Sequence, residues 1–252
     1  MAYPFQPKDH RVYKNTTLHS VVVSFDYGKR ESDFFDEAFY QRLDAYMMQN
    51  FSLKVDHNLF DKGIRISNNK NGAILMFFNG VLILSIDKSK YVSFEDSAMP
   101  QIHKLHEFVE QVLGEQSLKD ANIRKLNIWQ LRDVKKGEEE KLIHDVMGHV
   151  FSDDLLSSSA RKPLTEDEKG VLLDKFIWEE GIETVTVRLA FVKVKGIDYA
   201  YNLVLDLDLG IAPEDGLPLD SLPGTLRERN GVLFDAYHWC VRDEIIKQME
   251  EA

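Results

Sequence analysis

Residues 73–86 read AILMFFNGVLILSI, and no other stretch limits the fold as strongly. Asn79-Gly80 divides it into two apolar runs, 73–78 and 81–86. A type I′ turn needs positive φ at both central residues, which Asn-Gly tolerates, so the runs pair as an antiparallel hairpin. Both runs are apolar at almost every position, so both faces of the hairpin must be covered, by helices, by a second sheet or by another subunit. As a membrane helix the stretch is too short and is interrupted by its turn.

The rest of the chain supplies the cover. LHSVVVSF (18–25) is β-branched and predicts a strand. Ser32 or Asp33 caps a helix over about 34–50, whose apolar face is Phe35, Phe39, Leu43, Tyr46 and Met47. GIRIS (63–67) leads into the hairpin, and a helix over 97–114, opened by Ser97, turns Ile102, Leu105, Val109 and Val112 inward. Residues 121–134 predict a strand with Ile123, Leu126, Ile128 and Leu131, whose alternation slips near Lys125 as at a β-bulge. EEEKLIHDVMGHVF (138–151) predicts a short helix weakened by Gly148. Residues 152–170 are polar and loop-like, with capping-box spacing at Thr165 and Glu168. ETVTVRLAFVKV and YAYNLVLDLDL form a long hairpin around residues 195–198, and a final helix near 227–250 uses Phe234, Tyr237, Val241, Ile245 and Met249.

These elements predict an α+β fold, antiparallel sheet with long helices packed on it. An N-terminal arm (1–17) precedes two halves, 18–117 and 118–252, each ordered strand–helix–strands–helix and together one compact unit. The net charge of −11, without a dense Lys/Arg run, argues against a phosphate-tracking surface and so against nucleic acid as a partner. A single cysteine, Cys240, excludes an intramolecular disulfide and a Cys-based zinc site. The opening MAYPFQPKDHRVYKNTT is no secretory signal, so the cytoplasm is the expected address and no membrane contact is expected. Nucleophile elbow, P-loop and dinucleotide fingerprint are all missing, and no cofactor is expected.

The candidate sites are few. Asp206 and Asp208 in NLVLDLDLG share one strand face, with Cβ atoms on the order of 7 Å apart. Such a pair can hold a divalent cation, given further oxygen ligands. It can equally line the wet side of a half-exposed sheet, and the hairpin places Arg188 opposite Asp206 as an ion-pair partner. His103, His106, Glu107 and Glu110 share a helix face and could ligate zinc or iron, although the spacing is not that of a zinc protease. His144 and His149, five apart, diverge around a helix. In FDAYHWCVRDE (234–244), Cys240 reads as core, and Asp235 and His238 as hydrogen-bonding groups that could meet a ligand or partner.

LHSVVVSFDYG followed by a helix, IRKLNIWQLRDV, YNLVLDLDL and the closing LFDAYHWCVRDEII together resemble a sporadically distributed family of uncharacterised bacterial proteins of similar length. That family has an N-terminal strand–helix unit, a mid-chain LRY-N-like strand, an LDID-like strand and a closing helix with an LH…I…FE pattern. The likeness spans nearly the whole chain through short, mostly structural motifs. IRKLN stands here for LRYIN, and Tyr237-His238 where the family favours Leu-His. The resemblance implies a bacterial scaffold of the kind carried on mobile or defence-linked loci. It brings no catalytic residue and implies a structural role for Asp206 and Asp208.

The expected function is therefore non-enzymatic: binding of a protein partner, or assembly into a homo-oligomer. The alternative is a metal-dependent hydrolase or nuclease using Asp206 and Asp208, with His238 from the neighbouring helix.

Overall fold

A computed structural model describes residues 3–13, 16–26, 41–42, 44–46, 48–49, 55–60, 63–68, 73–78, 81–108, 110, 117–131, 139–162, 172–195, 197 and 200–251. The strands are β1 (Leu18–Asp26), β2 (Val55–Phe60), β3 (Gly63–Asn68), β4 (Ala73–Phe78), β5 (Val81–Asp87), β6 (Ser117–Leu118), β7 (Asp120–Leu131), β8 (Arg161–Lys162), β9 (Leu172–Glu180), β10 (Glu183–Lys193), β11 (Tyr201–Ile211) and β12 (Leu217–Pro218). The named α-helices are α1 (Met99–Phe108), α2 (Glu139–Val150), α3 (Asp153–Leu156), α4 (Leu222–Cys240) and α5 (Asp243–Glu251). The fold is α+β with antiparallel pairing. Among the described residues no helix is long and apolar enough to cross a membrane.

Two compact units divide the chain, and the division follows contacts rather than chain order. The first comprises Met1–His19, Arg124–Leu209 and Gly231–Ala252, and the second Ser20–Ile123 and Gly210–Asn230. Both therefore draw on the expected halves 18–117 and 118–252.

In the second unit the strand order is β2-β3-β4-β5-β1. Phe78 pairs with Val81, so β4 and β5 form the hairpin that the apolar stretch predicts, while Asn79-Gly80 lies outside the described residues. Leu82, Leu84 and Ile86 are buried opposite Phe25, Val23 and Val21 of β1. Of the helix predicted over 34–50, the described residues from 41 onward are helical, and Tyr46 donates to the Lys104 carbonyl at 2.7 Å. A π-helical turn (Phe94–Ala98) precedes α1, and the cap is Ser93, whose Oγ accepts from Asp96 N–H at 3.0 Å. The predicted cap, Ser97, instead accepts from Val92 N–H. Glu95 and Asp96 explain the earlier start, since carboxylates favour the positive end of a helix. Ile102 and Leu105 are buried as predicted, and Val109 and Val112 lie outside the described residues.

In the first unit the order is β7-β11-β10-β9-β8. β9 is absent from the sequence expectation. It joins β10 through a two-residue loop closed by the Glu180–Glu183 pair, with Gly181 at φ 60°, which glycine alone adopts freely. Leu203, Leu205, Leu207 and Leu209 of β11 are fully buried, on the same face as Val185, Val187 and Leu189 of β10. In β7 the alternation does not slip: Ala121, Ile123, Lys125 and Asn127 are all buried. Two polar residues hold inward positions there, so the apolar pattern looks shifted while the burial pattern keeps its period.

The closing helix is two helices. α4 starts five residues earlier than the predicted 227, with Pro223 in its first turn, where a missing N–H costs nothing. It stops at Cys240 because Val241 and Arg242 turn aside to pair backbone with Phe151 and Val150, and the Cys240 carbonyl accepts from Ser152 N–H.

Candidate functional site

Asp206 and Asp208 lie between two arginines contributed by two strands. Arg124, on β7, holds Asp206 with both prongs of its guanidinium: Nε to Oδ1 and Nη2 to Oδ2, each 2.7 Å. Arg188, on β10, reaches both carboxylates through Nη1, at 3.2 Å from Asp206 Oδ2 and 3.0 Å from Asp208 Oδ2. The expected Arg188–Asp206 pairing is thus present, with a second partner that sequence reasoning missed. The bidentate fork is the strongest arrangement an arginine and a carboxylate can make. Its hydrogen bond, with the two negative charges, raises the Arg124 pKa above its ordinary value despite partial burial.

The expectation of a wet acidic pair needs correcting. The Asp206 side chain is only 6% exposed, against 48% for Arg124. Two guanidinium groups lie against the carboxylate, so the arginines meet water and the aspartate does not. Asp208, at 19%, is the outer member. Three of the four carboxylate oxygens accept from arginine, and two positive charges oppose a cation at this place.

Strand alternation puts further residues on the same face: Leu126 and Ile128 with Arg124, Thr186, Ala190 and Val192 with Arg188, and Val204 with Asp206. The β9–β10 register adds Ile177 opposite Thr186. Leu126, Ile128, Ile177, Ala190, Val192 and Val204 are all half-buried, so aliphatic surface flanks the charge network.

His238 and Asp235 occupy a different place. His238 Nε2 pairs with the Tyr13 hydroxyl, and its ring packs 4.6 Å from Phe234. Burial lowers its pKa, reinforced by Lys8 and opposed by Asp235, Asp243 and Glu250. Asp206 and Asp208 are not among the charges that act on it, so no Asp–His dyad forms. Asp235 accepts from the Lys8 backbone N–H at 2.9 Å. His103, Glu107 and Glu110 are exposed, while the His106 and His144 side chains lie outside the described residues. His149 is exposed. Among the described residues no three His, Cys, Asp or Glu side chains are placed to hold a metal ion. Cys240 is buried, and burial raises its thiol pKa well above the ordinary value.

A buried lysine completes the inventory. Lys125 is 9% exposed, and burial alone lowers its pKa to about 8. Two residues on, Asn127 is buried with no partner for its Nδ2 among the described residues, while its Oδ1 accepts from Thr17 at 3.5 Å. Thr17 in turn lies 2.9 Å from the Tyr237 hydroxyl. The slip in the apolar pattern near residue 125 was the available signal. No protein-family model and no curated protein sequence matches this chain.

Proposed function

We propose that this chain is a non-enzymatic protein-binding protein that works through the pleated face of its first unit. The observation that carries the reading is the Arg124–Asp206–Arg188–Asp208 network flanked by half-buried aliphatic side chains. Its two acids are matched by two arginines, with Lys175 opposite Arg188 beside them, and a pleated surface that also carries aliphatic side chains suits another protein better than a small charged substrate. The partner is another protein surface, in the simplest case a second copy of the chain. A hydrolase or nuclease reading would first have to release Asp206 from two arginines. The bacterial cytoplasm and a mobile or defence-linked locus belong to the proposal on the strength of the family resemblance.

Sedimentation velocity across micromolar concentrations tests it. The wild-type chain is expected to dimerise reversibly, and Ile128→Glu, with an unchanged circular dichroism spectrum, to weaken the dimer about tenfold or more, some 1.4 kcal/mol. A wild-type chain that stays monomeric throughout, or a dimer indifferent to Ile128→Glu, overturns the face as the working surface.

A further inference from the structure

The segment Tyr3–Tyr13, YPFQPKDHRVY, has no regular secondary structure in its described residues, yet it is fastened at short intervals. Phe5 is buried and meets Trp178 and Trp239 edge-on, at 5.4 and 5.6 Å between ring centroids, while those two tryptophans meet each other at 5.5 Å. Tyr3 stacks on Phe5 and turns its hydroxyl to Glu183. Lys8 donates its backbone N–H to Asp235, and Arg11 pairs with Glu250 at 2.8 Å. His10 lies against Phe234 and over Gly231, where a Cβ would stand 2.8 Å from the imidazole. Tyr13 closes the series on His238.

The receiving residues 231, 234, 235, 238 and 239 are spaced as one face of α4, and β9, β10 and α5 supply the rest. All of them come from outside the arm. A separate peptide carrying the same groups would therefore make the same contacts. The chemistry of the fit is specific. Pro4 and Pro7 restrict the backbone, Phe5 with Tyr3 stacked on it packs against Trp178 and Trp239, Arg11 pairs with Glu250, His10 stands 4.0 Å from Asp235, and Lys8 reaches Asp235 through its backbone N–H. Residues 6–12 are all exposed, Lys8, His10 and Arg11 included, so buried Phe5 is the main anchor.

We infer that this surface is a recognition groove for an extended, basic, proline-containing segment of another protein with an aromatic anchor, and that the chain's own arm occupies it as an intramolecular competitor. A tethered arm competes at an effective concentration on the order of millimolar, so the groove opens to an outside segment only when that segment binds well or the arm is weakened. The inference is independent of the pleated face.

The test uses full-length chains and a fluorescein-labelled synthetic peptide of residues 1–13, read by anisotropy. Phe5→Ala removes the anchor from the tethered arm and leaves the groove intact. That chain is expected to bind the peptide at least about tenfold more tightly than wild type, and a peptide carrying the same substitution to lose binding. His10→Ala, which removes the arm's contact with Phe234 while keeping Phe5 and the groove, is expected to fall between the two. A folded Phe5→Ala chain that binds no better than wild type overturns the inference, as does a His10→Ala chain identical to wild type should Phe5→Ala fail to fold. Dimers of the wild-type chain that exchange their arms, detected by cross-linking the arm of one copy to α4 of another, would overturn the foreign partner in favour of a second copy.

Discussion

Asp206 and Lys125 are both ionisable groups buried on strands of the first unit, and the protein treats them in opposite ways. Asp206 is enclosed by two arginines. Lys125 pairs with no carboxylate among the described residues, and burial alone lowers its pKa to about 8. Taking a charge out of water costs several kcal/mol unless a partner replaces the lost solvation. β11 solves that with neighbours, because Arg124 and Arg188 stand on either side of Asp206. β7 solves it by making the proton easier to lose. The first solution gives a rigid feature that is expensive to break, the second a strained one that is easy to improve.

The largest effect should come from Asp206→Ala. Removing the carboxylate leaves Arg188 and Arg124 without their shared partner, and breaking such a pair typically costs about 3–5 kcal/mol. For a chain of this size that is a fall in Tm on the order of 10 °C by calorimetry. The loss should be the same with and without chelator. A wild-type Tm that drops on adding chelator would mean that a cation, and not arginine, holds the pair.

Lys125→Met should act in the other direction. A lysine pKa held at about 8 against an ordinary value near 10.5 means that the unfolded chain binds the extra proton more readily between those limits. Stability attributable to this residue is therefore lowest below pH 8 and rises as pH climbs towards 10. Methionine keeps the apolar stem without the amine, so at pH 7 the variant should gain up to about 3 kcal/mol, and its alkaline rise should vanish. Tyr13, raised to about 12 in the folded chain, ionises near pH 10 once unfolded, so the lysine's rise is read between about pH 8 and 9. A variant less stable than wild type at pH 7 would mean that the amine has a compensating bond.

How much of this was legible in the sequence depends on how far apart the partners lie. Arg188 and Asp206 belong to one hairpin, so the two-residue period of a strand is enough to set them face to face. Arg124 lies 82 positions from Asp206, on a strand that is a neighbour only through the sheet order, and no local pattern announces it. Lys125 did leave a trace, but a lysine at a sheet position is normally read as facing water, which turned an inward polar residue into a supposed bulge. β9 was missed for a related reason, because Asp174 occupies a buried position and pairs with Arg161. The break after Cys240 is set by backbone bonds to residues 150–152, which have no local signature either. The N-terminal arm could be delimited, but its anchors on α4 and α5 could not.

The smallest effect should sharpen the comparison most. Asp208 shares Arg188 with Asp206 but is three times as exposed, 19% against 6%. If burial separates an expensive charge from a cheap one, Asp208→Asn should cost no more than about 1 kcal/mol, within the range of surface ion pairs, and that cost should shrink further in high salt. The cost of Asp206→Ala should stay nearly constant with salt, since little solvent reaches that carboxylate. Because Arg188 serves both, the double variant should depart from additivity, by about 0.5 kcal/mol or more. Urea unfolding of the two single variants and the double at low and high salt gives all of these values. Equal losses at the two positions would show that the shared arginine, rather than removal from water, governs the network, and the contrast with Lys125 would then no longer rest on burial.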